Sequence, residues 1–167
     1  MTLIKNTILT HKEIEHKIRR MAYQIYESNV NESELIIAGV ESNGFLLAKK
    51  IKAQIDKISE IECTLCKVSI DKVNPLNPIK TTLNKEDYIN KSIVLIDDVL
   101  NSGSTLIYGI KHFLDVPLKQ FKTAVLVNRN HKKYPVKADF KGISLSTSLF
   151  EHVHVNLSKK PYEAYLD

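Results

Sequence analysis

The sequence predicts an α/β fold in which a mainly parallel, twisted sheet is flanked by helices. Segments with the composition of buried strands alternate with amphipathic helices along the chain, and no internal repeat interrupts them. Residues 93–96 read Ile-Val-Leu-Ile, and such an uninterrupted apolar run is typical of a strand covered on both faces of a parallel sheet. At 167 residues the chain has the ordinary size of one core, so we expect a single domain over residues 1–167.

The first half of the chain predicts two helices and two strands. The first helix runs from His11 to Ser28, because apolar residues recur at helical spacing and a turn-forming Asn-Glu-Ser cluster comes soon after it. Its core-facing residues are Ile14, Ile18, Met21, Ala22 and Ile25. A buried strand, Leu35–Val40, a helix, Phe45–Ile58, and a strand near Glu62–Ile70 follow in that order.

The second half predicts further βαβ units after a long connection. That connection, Asp71–Asn90, contains two prolines and many polar residues, which suggests a mobile loop or short flap over the substrate. Strands Ser92–Asp97 and Phe121–Asn128 then lie on either side of a helix, Thr105–Leu114, whose apolar face includes Leu114. Two shorter β segments, Val136–Leu145 and Glu151–Leu157, complete the predicted fold.

Composition narrows the class of protein without fixing its ligand. A net charge of +5 and a pI near 9.1 suit an anionic partner, either a phosphorylated metabolite or RNA. The chain has no long apolar segment and no apolar signal region, so we expect a cytoplasmic protein that does not enter a membrane. Cys63 and Cys66 have the Cys-x-x-Cys spacing of redox and zinc sites, but the sequence has no second cysteine pair to support such a site. We therefore expect Cys66 to pack as a small apolar side chain.

Two adjacent acids mark the first candidate site. Asp97 and Asp98 follow the apolar run at the point where we expect the strand to leave the sheet. Carboxylates there could accept hydrogen bonds from a vicinal diol. The next residues, Asn101, Ser102, Gly103, Ser104 and Thr105, place hydroxyls and backbone N–H groups at a helix start, which favours phosphate. The pattern predicts a sugar-phosphate site. The alternative is a solvated strand end followed by an N-cap.

A second loop lies between the first buried strand and its helix. It runs Gly39-Val-Glu-Ser-Asn-Gly44, and its glycines allow backbone to approach a ligand at a helix N-terminus. The spacing matches neither a dinucleotide-binding fingerprint nor a Walker phosphate loop. Ligands in open α/β sheets bind at the carboxyl ends of neighbouring strands, so the two loops are expected to meet. A simple tight turn is the alternative.

Residues 93–105 resemble the phosphoribosyl pyrophosphate (PRPP) motif of type I phosphoribosyltransferases, in which a strand, two acids and a hydroxyl-glycine loop follow one another. The later stretch 123–148 resembles the pyrimidine-operon attenuator/uracil phosphoribosyltransferase family, PyrR. The residues that carry this second resemblance are Arg129, His131, Pro135, Ala138, Asp139, Phe140, Gly142, Thr147 and Ser148. The likeness extends in order from about His11 to Leu157.

The resemblance implies a type I phosphoribosyltransferase fold with a flexible loop and a small C-terminal hood. It implies transfer of ribose 5-phosphate from PRPP to a nucleobase, uracil in this family, with release of pyrophosphate. Magnesium would be bound through PRPP, with no direct protein ligand. A homodimer or higher homo-oligomer is expected. The implied residues are Asp97 and Asp98 for ribose, Asn101 to Thr105 for the 5′-phosphate, Glu41, Ser42, Asn43 and Gly44 for pyrophosphate, and Asn128, Arg129 and Ile143 around the base.

Several positions depart from the family pattern. Glu41, Ser42 and Asn43 stand where the family usually carries a basic residue and a Thr-Arg pair, and Ser104 replaces Arg or Lys. Asn101 stands where related purine enzymes have an Asp base and uracil-using relatives have Tyr. The flexible segment reads Ile70-Asp71-Lys72 where the family has Tyr-Arg. These departures leave a second hypothesis open, a nucleotide-sensing regulator with weak catalysis that binds pyrimidine-operon mRNA. Its RNA-facing residues would be Lys132, Lys133, Lys137 and Lys141. A third hypothesis is a Rossmann-like domain with an unrelated anionic ligand.

Overall fold

A computed structural model describes residues 5–148 and 150–167 and contains two sheets. The larger has six strands in the order β4-β3-β2-β5-β6-β7, and every pair is parallel except β3 with β4. Its strands are β2 (Glu34–Val40), β3 (Glu62–Ser69), β4 (Lys80–Thr81), β5 (Ser92–Leu100), β6 (Gln120–Arg129) and β7 (Phe140–Leu145). The helices are α1 (His11–Ser28), α2 (Asn43–Ile58), α3 (Lys85–Tyr88) and α4 (Ser104–Phe113). The predicted α/β class with a mainly parallel sheet is confirmed.

One face of the large sheet is covered by α1 and α2. Helix α1 begins with a capping box in which the Thr10 hydroxyl accepts from the Glu13 N–H while the Glu13 carboxylate accepts from the Thr10 N–H. Its buried residues are Ile14, Ile18, Met21, Ala22 and Ile25, which confirms the predicted face. This layer and the inner side of the sheet form one continuous apolar core.

The opposite face is covered by α4 and by the segment after β3. Tyr88 of α3 is buried edge-on against Phe113 of α4, with ring centroids 5.1 Å apart. The predicted long loop Asp71–Asn90 is therefore partly wrong, because it contains β4 and α3. Elements this short have no hydrophobic periodicity, and they are fixed by pairing with β3 and by burial of Tyr88. The irregular remainder, residues 70–79, is called the flap below.

The smaller sheet has the order β1-β9-β8 and is antiparallel. It consists of β1 (Asn6–Leu9), β8 (Val153–Asn156) and β9 (Glu163–Leu166). We call this sheet the hood. The resemblance implied a small C-terminal hood; β8 and β9 come from the C-terminal part of the chain, and the N-terminal strand β1 adds to them by pairing with β9. A four-residue strand whose partner is almost the whole chain away leaves no local signal in the sequence.

Other boundaries also differ from the prediction. Strand β5 continues beyond Asp97 to Leu100, and α4 ends at Phe113, which leaves Leu114 60% exposed and outside the predicted apolar face. The expected β segment from Val136 begins only at Phe140. Cys66 is buried as expected, and burial raises the pKa of the half-buried Cys63 to about 11. Within residues 5–148 and 150–167, no helix is both long enough and apolar enough to cross a bilayer.

Candidate active site

A cavity of about 310 Å³ opens where β5 ends and α4 begins. The structure brings the two predicted parts together there, because Asp97, Asp98 and the loop from Asn101 to Thr105 all contribute to its wall. The lining is completed by Lys72 from the flap, Val153 from the hood, and Val99, Leu100 and Leu106 from β5 and α4. The cavity thus lies at the carboxyl edge of the large sheet, beneath the hood, as expected for ligand sites in open α/β sheets.

The acid pair lies inside β5, beside a split in the sheet. Pairing of β5 with β2 ends at Ile96, whereas pairing with β6 continues through Asp97 to Leu100. Asp97 is only 2% exposed, and its Oδ1 accepts from the Asp98 N–H over 2.8 Å. Burial, followed by the neighbouring Asp98 charge, raises the pKa of Asp97 well above its usual range, and Lys72 acts in the opposite direction. Asp98 is less buried, so it is the better-placed carboxylate for a ligand in the cavity.

The loop after β5 leads directly into α4. Gly103 adopts a left-handed conformation with φ +89°, and a Cβ there would lie 2.5 Å from Val136 Cγ2. The N–H groups of Lys133 and Tyr134 donate to the Ser102 carbonyl over 2.8 and 3.1 Å, which fixes the loop from the other side. Because Gly103 occupies the N-cap position without a capping side chain, the first turn of α4 can receive an anion.

The predicted pyrophosphate loop lies beside Asp97. A Cβ on Gly44 would be 2.8 Å from the Ile96 carbonyl oxygen and 3.1 Å from Asp97 Oδ1, so only glycine fits without a shift. Ser42 precedes α2, and the Asn43 amide donates to the Val155 carbonyl in the hood over 3.0 Å. Of the described residues, none of Glu41, Ser42, Asn43 and Gly44 contributes to the cavity wall.

Glu41 is directed toward β3. Its Oε2 accepts from the Ser69 hydroxyl over 2.6 Å, and its Oε1 lies 3.9 Å from Lys67 Nζ. The acid that stands in the predicted pyrophosphate loop is therefore bound by a hydroxyl and neighboured by a lysine.

None of the three residues suggested for the base pocket contributes to the described cavity wall. Asn128 is 6% exposed, its amide donates to Ser144 Oγ over 3.3 Å, and its Oδ1 has no hydrogen-bond partner in the described part of the chain. Ile143 packs against the core on the α1 and α2 side. Their role around a base stays a prediction.

Arg129 connects three segments. Its Nε and Nη2 donate to Thr147 Oγ1, Nη2 also donates to the carbonyls of Ser148 and Glu151, and Nη1 donates to Asn101 Oδ1. Arg129 is 7% exposed, and these bonds hold the loop from Asn101 to Thr105, which is predicted to bind phosphate and is called the phosphate loop below, against the segment that leads into the hood. The hydrogen bonds of the Arg129 side chain therefore serve mainly to hold these three segments together.

Sequence reasoning did not name five residues of the cavity wall as site residues. Three of them, Val99, Leu100 and Leu106, adjoin the predicted ones in the chain, whereas Lys72 and Val153 come from distant segments. Lys72 stands in a segment where the family pattern fails, so only a survey of cations in the expected flap could have found it. Val153 reaches the site through the hood, whose strand pairing is not visible in the local sequence.

An acid pair on a central parallel strand, followed by a hydroxyl-glycine loop at a helix N-terminus, is the arrangement expected of a phosphoribosyltransferase. Residues 5–160 match the phosphoribosyl transferase domain, so the chain belongs to that family and is a phosphoribosyltransferase. Among relatives it belongs with PyrR. It is 30% identical over 164 residues to the bifunctional protein PyrR of Macrococcus caseolyticus, covering 93% of each chain. It is 31% identical over 166 residues to that of Fusobacterium nucleatum, again covering 93% of each.

Solved structures agree on the fold. The hypoxanthine-guanine phosphoribosyltransferase of Bacillus anthracis superposes with a TM-score of 0.80 at 20% identity, with 98% of each chain covered. The hypoxanthine phosphoribosyltransferase of Trypanosoma cruzi gives a TM-score of 0.76 at 14% identity, covering 96% of this chain and 95% of the other. At these identities the likeness concerns the fold alone. The predicted family and fold are both confirmed.

Proposed function

We propose that this chain transfers ribose 5-phosphate from PRPP to N1 of uracil and releases pyrophosphate. The observation that carries the proposal is the single cavity in which the acid pair of β5 faces the hydroxyl-rich start of α4. A single ligand that carries both a vicinal diol and a phosphate group fits this arrangement. The likeness to PyrR proteins supports uracil as the base.

The loop from Ser102 to Thr105 binds the 5′-phosphate in this proposal. Its backbone N–H groups and hydroxyls act together with the N-terminus of α4. Asp98 accepts hydrogen bonds from the ribose hydroxyls. Asp97, which is buried behind it, fixes the backbone of Asp98 and adds its oxygen to the diol site. The sugar is thereby held at both ends, which restricts it to a reactive orientation.

Magnesium fits the proposal as a partner of PRPP. Asp98 offers the oxygen donors that Mg²⁺ prefers, but the described residues contain no cluster of three or more His, Cys, Asp or Glu side chains suited to a metal. When bound with PRPP, the ion would supply charge neutralisation at the pyrophosphate. The protein's own residues bind the sugar, and the flap and the hood exclude water.

The departures from the family pattern are compatible with turnover. The carboxylate of Glu41 contacts Ser69 and Lys67, so it does not oppose pyrophosphate directly. Asn101 cannot serve as a base, and its Oδ1 accepts from Arg129. We assign Asn101 and Arg129 to positioning of the phosphate loop, and Asn128 and Ile143 to the neighbourhood of the base.

Pyrophosphate release from PRPP, measured with uracil, cytosine, hypoxanthine and guanine in turn, tests the proposal. We expect uracil to be used at roughly 1 to 10³ turnovers per second, the usual range for enzymes, and the purines to be poor substrates. Faster turnover of hypoxanthine than of uracil would assign the chain to purine salvage. No turnover with any base, together with tight nucleotide binding, would favour the regulator.

A second function, binding of pyrimidine-operon mRNA, is favoured by the surface charge. Lys132, Lys133, Lys137 and Lys141 are all exposed on the segment between β6 and β7 and on the start of β7. A separate groove of about 690 Å³ between α1 and α2 also has cations in its wall, namely His16 when protonated, Arg19, Lys50, Lys57 and Lys160. Either surface suits a polyanion. Association into a homodimer or larger oligomer stays part of the proposal.

A further inference from the structure

The strand of the hood that borders the cavity is the outer strand of its sheet. In the described chain, β8 ends the order β1-β9-β8 and has β9 as its neighbour. Val153 and Val155 lie two residues apart on one face of β8, and both pack against the core that α1 and α2 cover. Val153 also contributes to the cavity wall. The position of β8 therefore sets one side of the ligand cavity.

A single hydrogen bond joins this strand to the helix layer. The side-chain amide of Asn43, the first residue of α2, donates to the Val155 carbonyl over 3.0 Å. Among the hydrogen bonds of the described residues, no other connects β8 with a residue outside the hood. Asn43 is half-buried, which protects the bond from exchange with water. The start of α2 thus holds the strand that carries Val153.

The next residue of α2 borders the acid pair. A Cβ on Gly44 would lie 2.8 Å from the Ile96 carbonyl oxygen and 3.1 Å from Asp97 Oδ1, so this turn of the helix packs directly on β5. Two consecutive residues of α2 therefore contact opposite sides of the site. Gly44 abuts the strand of the acid pair, and Asn43 holds the hood. The distance between the two sides is set by one rigid helix start.

A second contact attaches the other end of the hood to the same helix. Lys50 Nζ donates to the Tyr162 hydroxyl over 2.9 Å and lies 4.3 Å from the centre of its ring. The Tyr162 N–H in turn donates to His11 Nδ1 over 2.9 Å. Lys50 follows Asn43 by about two helical turns, so both side chains leave the same side of α2. The hood rests on α2 at these two points, and the Asn43 contact is the one at β8.

From these contacts we propose that Asn43 is a positioning residue that holds β8, and with it Val153, against the ligand cavity. The inference rests on the proposed function and adds a residue that acts on the ligand through the hood. The resemblance implied a pyrophosphate contact for Asn43, whereas the amide of its side chain is engaged by the hood. Loss of this bond should let β8 move away from Asp98 and uncover the bound nucleotide.

Two substitutions of Asn43 and a matched control test the proposal. Asn43→Asp keeps the shape but replaces the donor by an acceptor that repels the Val155 carbonyl, and Asn43→Ala removes the amide altogether. Asn156→Ala is the control, because the Asn156 side chain accepts from the N–H and hydroxyl of Ser158 and so joins residues within the hood. Amide hydrogen exchange is measured on the ligand-free proteins. Isothermal titration measures affinity for uridine 5′-monophosphate and for inorganic phosphate.

We expect the amides of β8 to exchange about threefold to tenfold faster in both Asn43 variants, the range of one hydrogen bond, with the larger effect in Asn43→Asp. An aspartate at the first residue of α2 is favoured by the helix dipole, so the amides of α2 should stay protected in that variant. Affinity for uridine 5′-monophosphate should fall by a similar factor. Affinity for inorganic phosphate, which needs the phosphate loop alone, should change less than about twofold.

Asn156→Ala should raise exchange only in the turn after β8 and should keep the nucleotide affinity of the wild type. Unchanged exchange of β8 in Asn43→Asp would overturn the attachment of the hood by Asn43. Faster exchange of β8 with unchanged nucleotide affinity, or equal losses for nucleotide and phosphate, would overturn the positioning role. Wild-type protein that does not bind uridine 5′-monophosphate would reject the proposed function, and exchange in the ligand-free variants would still decide whether Asn43 holds the hood.

Discussion

Arg129 Nη1 donates to Asn101 Oδ1 over 3.1 Å, and this bond joins the end of β6 to the phosphate loop. The same guanidinium donates to Thr147 Oγ1 and to two carbonyls on the way to the hood. Arg129, which the sequence suggested for the base pocket, therefore connects the phosphate loop with the segment that leads into the hood.

Arg129→Lys should destabilise the protein and weaken binding of nucleoside monophosphates. A lysine cannot reproduce the planar fork, so several buried acceptors lose their donor, at a cost of about 2 to 4 kcal/mol in the free energy of unfolding. Chemical denaturation measures this cost. Arg20→Lys is the matched control, because Arg20 donates to two carbonyls, those of Lys141 and Gly142, nearer the surface. Equal losses in the two variants would contradict a special role for Arg129.

Asp98→Asn should weaken binding of uridine 5′-monophosphate by about tenfold or more. The amide keeps an oxygen that can accept from the Val99 N–H, but it lacks the charge that strengthens hydrogen bonds from the ribose diol, about 1.5 to 3 kcal/mol. Isothermal titration measures the affinity. Asp115→Asn, at an exposed acid beyond α4, is the control. If Asp98→Asn binds as tightly as the wild type, the ribose assignment must be abandoned.

Asp97→Asn should make the protein more stable above neutral pH while lowering its activity. Burial and Asp98 raise the pKa of Asp97 in the folded chain. A group with a raised folded-state pKa contributes stability that is fully present below its unfolded value and is lost as pH rises through the folded value. Asparagine carries no charge, so it avoids this loss of stability, which amounts to about 1 to 3 kcal/mol in the free energy of unfolding. Each kcal/mol corresponds to roughly 2–4 °C in Tm.

The advantage of Asp97→Asn should shrink as the pH falls toward about 4, the ordinary pKa of an aspartate. Thermal unfolding from pH 4.5 to 8.5 measures this trend. A variant less stable than wild type at pH 8 would mean that Lys72 fully compensates the buried charge.

Gly103→Ala should destabilise the phosphate loop. An alanine at φ +89° is strained by about 1 kcal/mol, and its Cβ would collide with Val136 Cγ2 at 2.5 Å, adding about 1 to 3 kcal/mol. The Tm of thermal unfolding and the affinity for uridine 5′-monophosphate should both fall. In a Val136→Ala background the clash is removed, so the added cost of Gly103→Ala should drop to the backbone part. An unchanged cost in that background would contradict the packing explanation.

Replacing Lys132, Lys133, Lys137 and Lys141 together by Ala should weaken binding to pyrimidine-leader RNA. Each lysine that contacts a phosphate contributes roughly 0.7 to the slope of log affinity against log salt for a single strand, so the slope should also become shallower. Fluorescence anisotropy at several salt concentrations measures both. Arg19, Lys57 and Lys160 replaced by Ala test the groove between α1 and α2. Loss of binding in that variant alone would move the RNA face to the groove.

The sequence by itself determined the class of fold and the hydroxyl-glycine pattern of the loop from Asn101 to Thr105. The buried run before Asp97, the face of α1 and the hydroxyl-glycine loop are local patterns, because periodicity and turn chemistry act over a few residues. These patterns were sufficient to predict the succession of the main helices and strands along the chain and a mainly parallel sheet. They also predicted the meeting of Asp98 with Ser102 and Gly103, which follow one another closely in the chain.

Tertiary structure alone decided the features that depend on distant pairing. Strand β1 joins β9 across nearly the whole chain, so four ordinary residues at one end became part of the hood. The direction of Glu41 depends on Ser69 and Lys67 of the neighbouring strand, and the position of Lys72 beside Asp97 depends on the fold of the flap. These contacts follow from packing rather than local preference, because each links side chains more than twenty residues apart. The sequence could therefore predict the loop from Asn101 to Thr105, while the contacts of Glu41 and Lys72 emerged only from the folded chain.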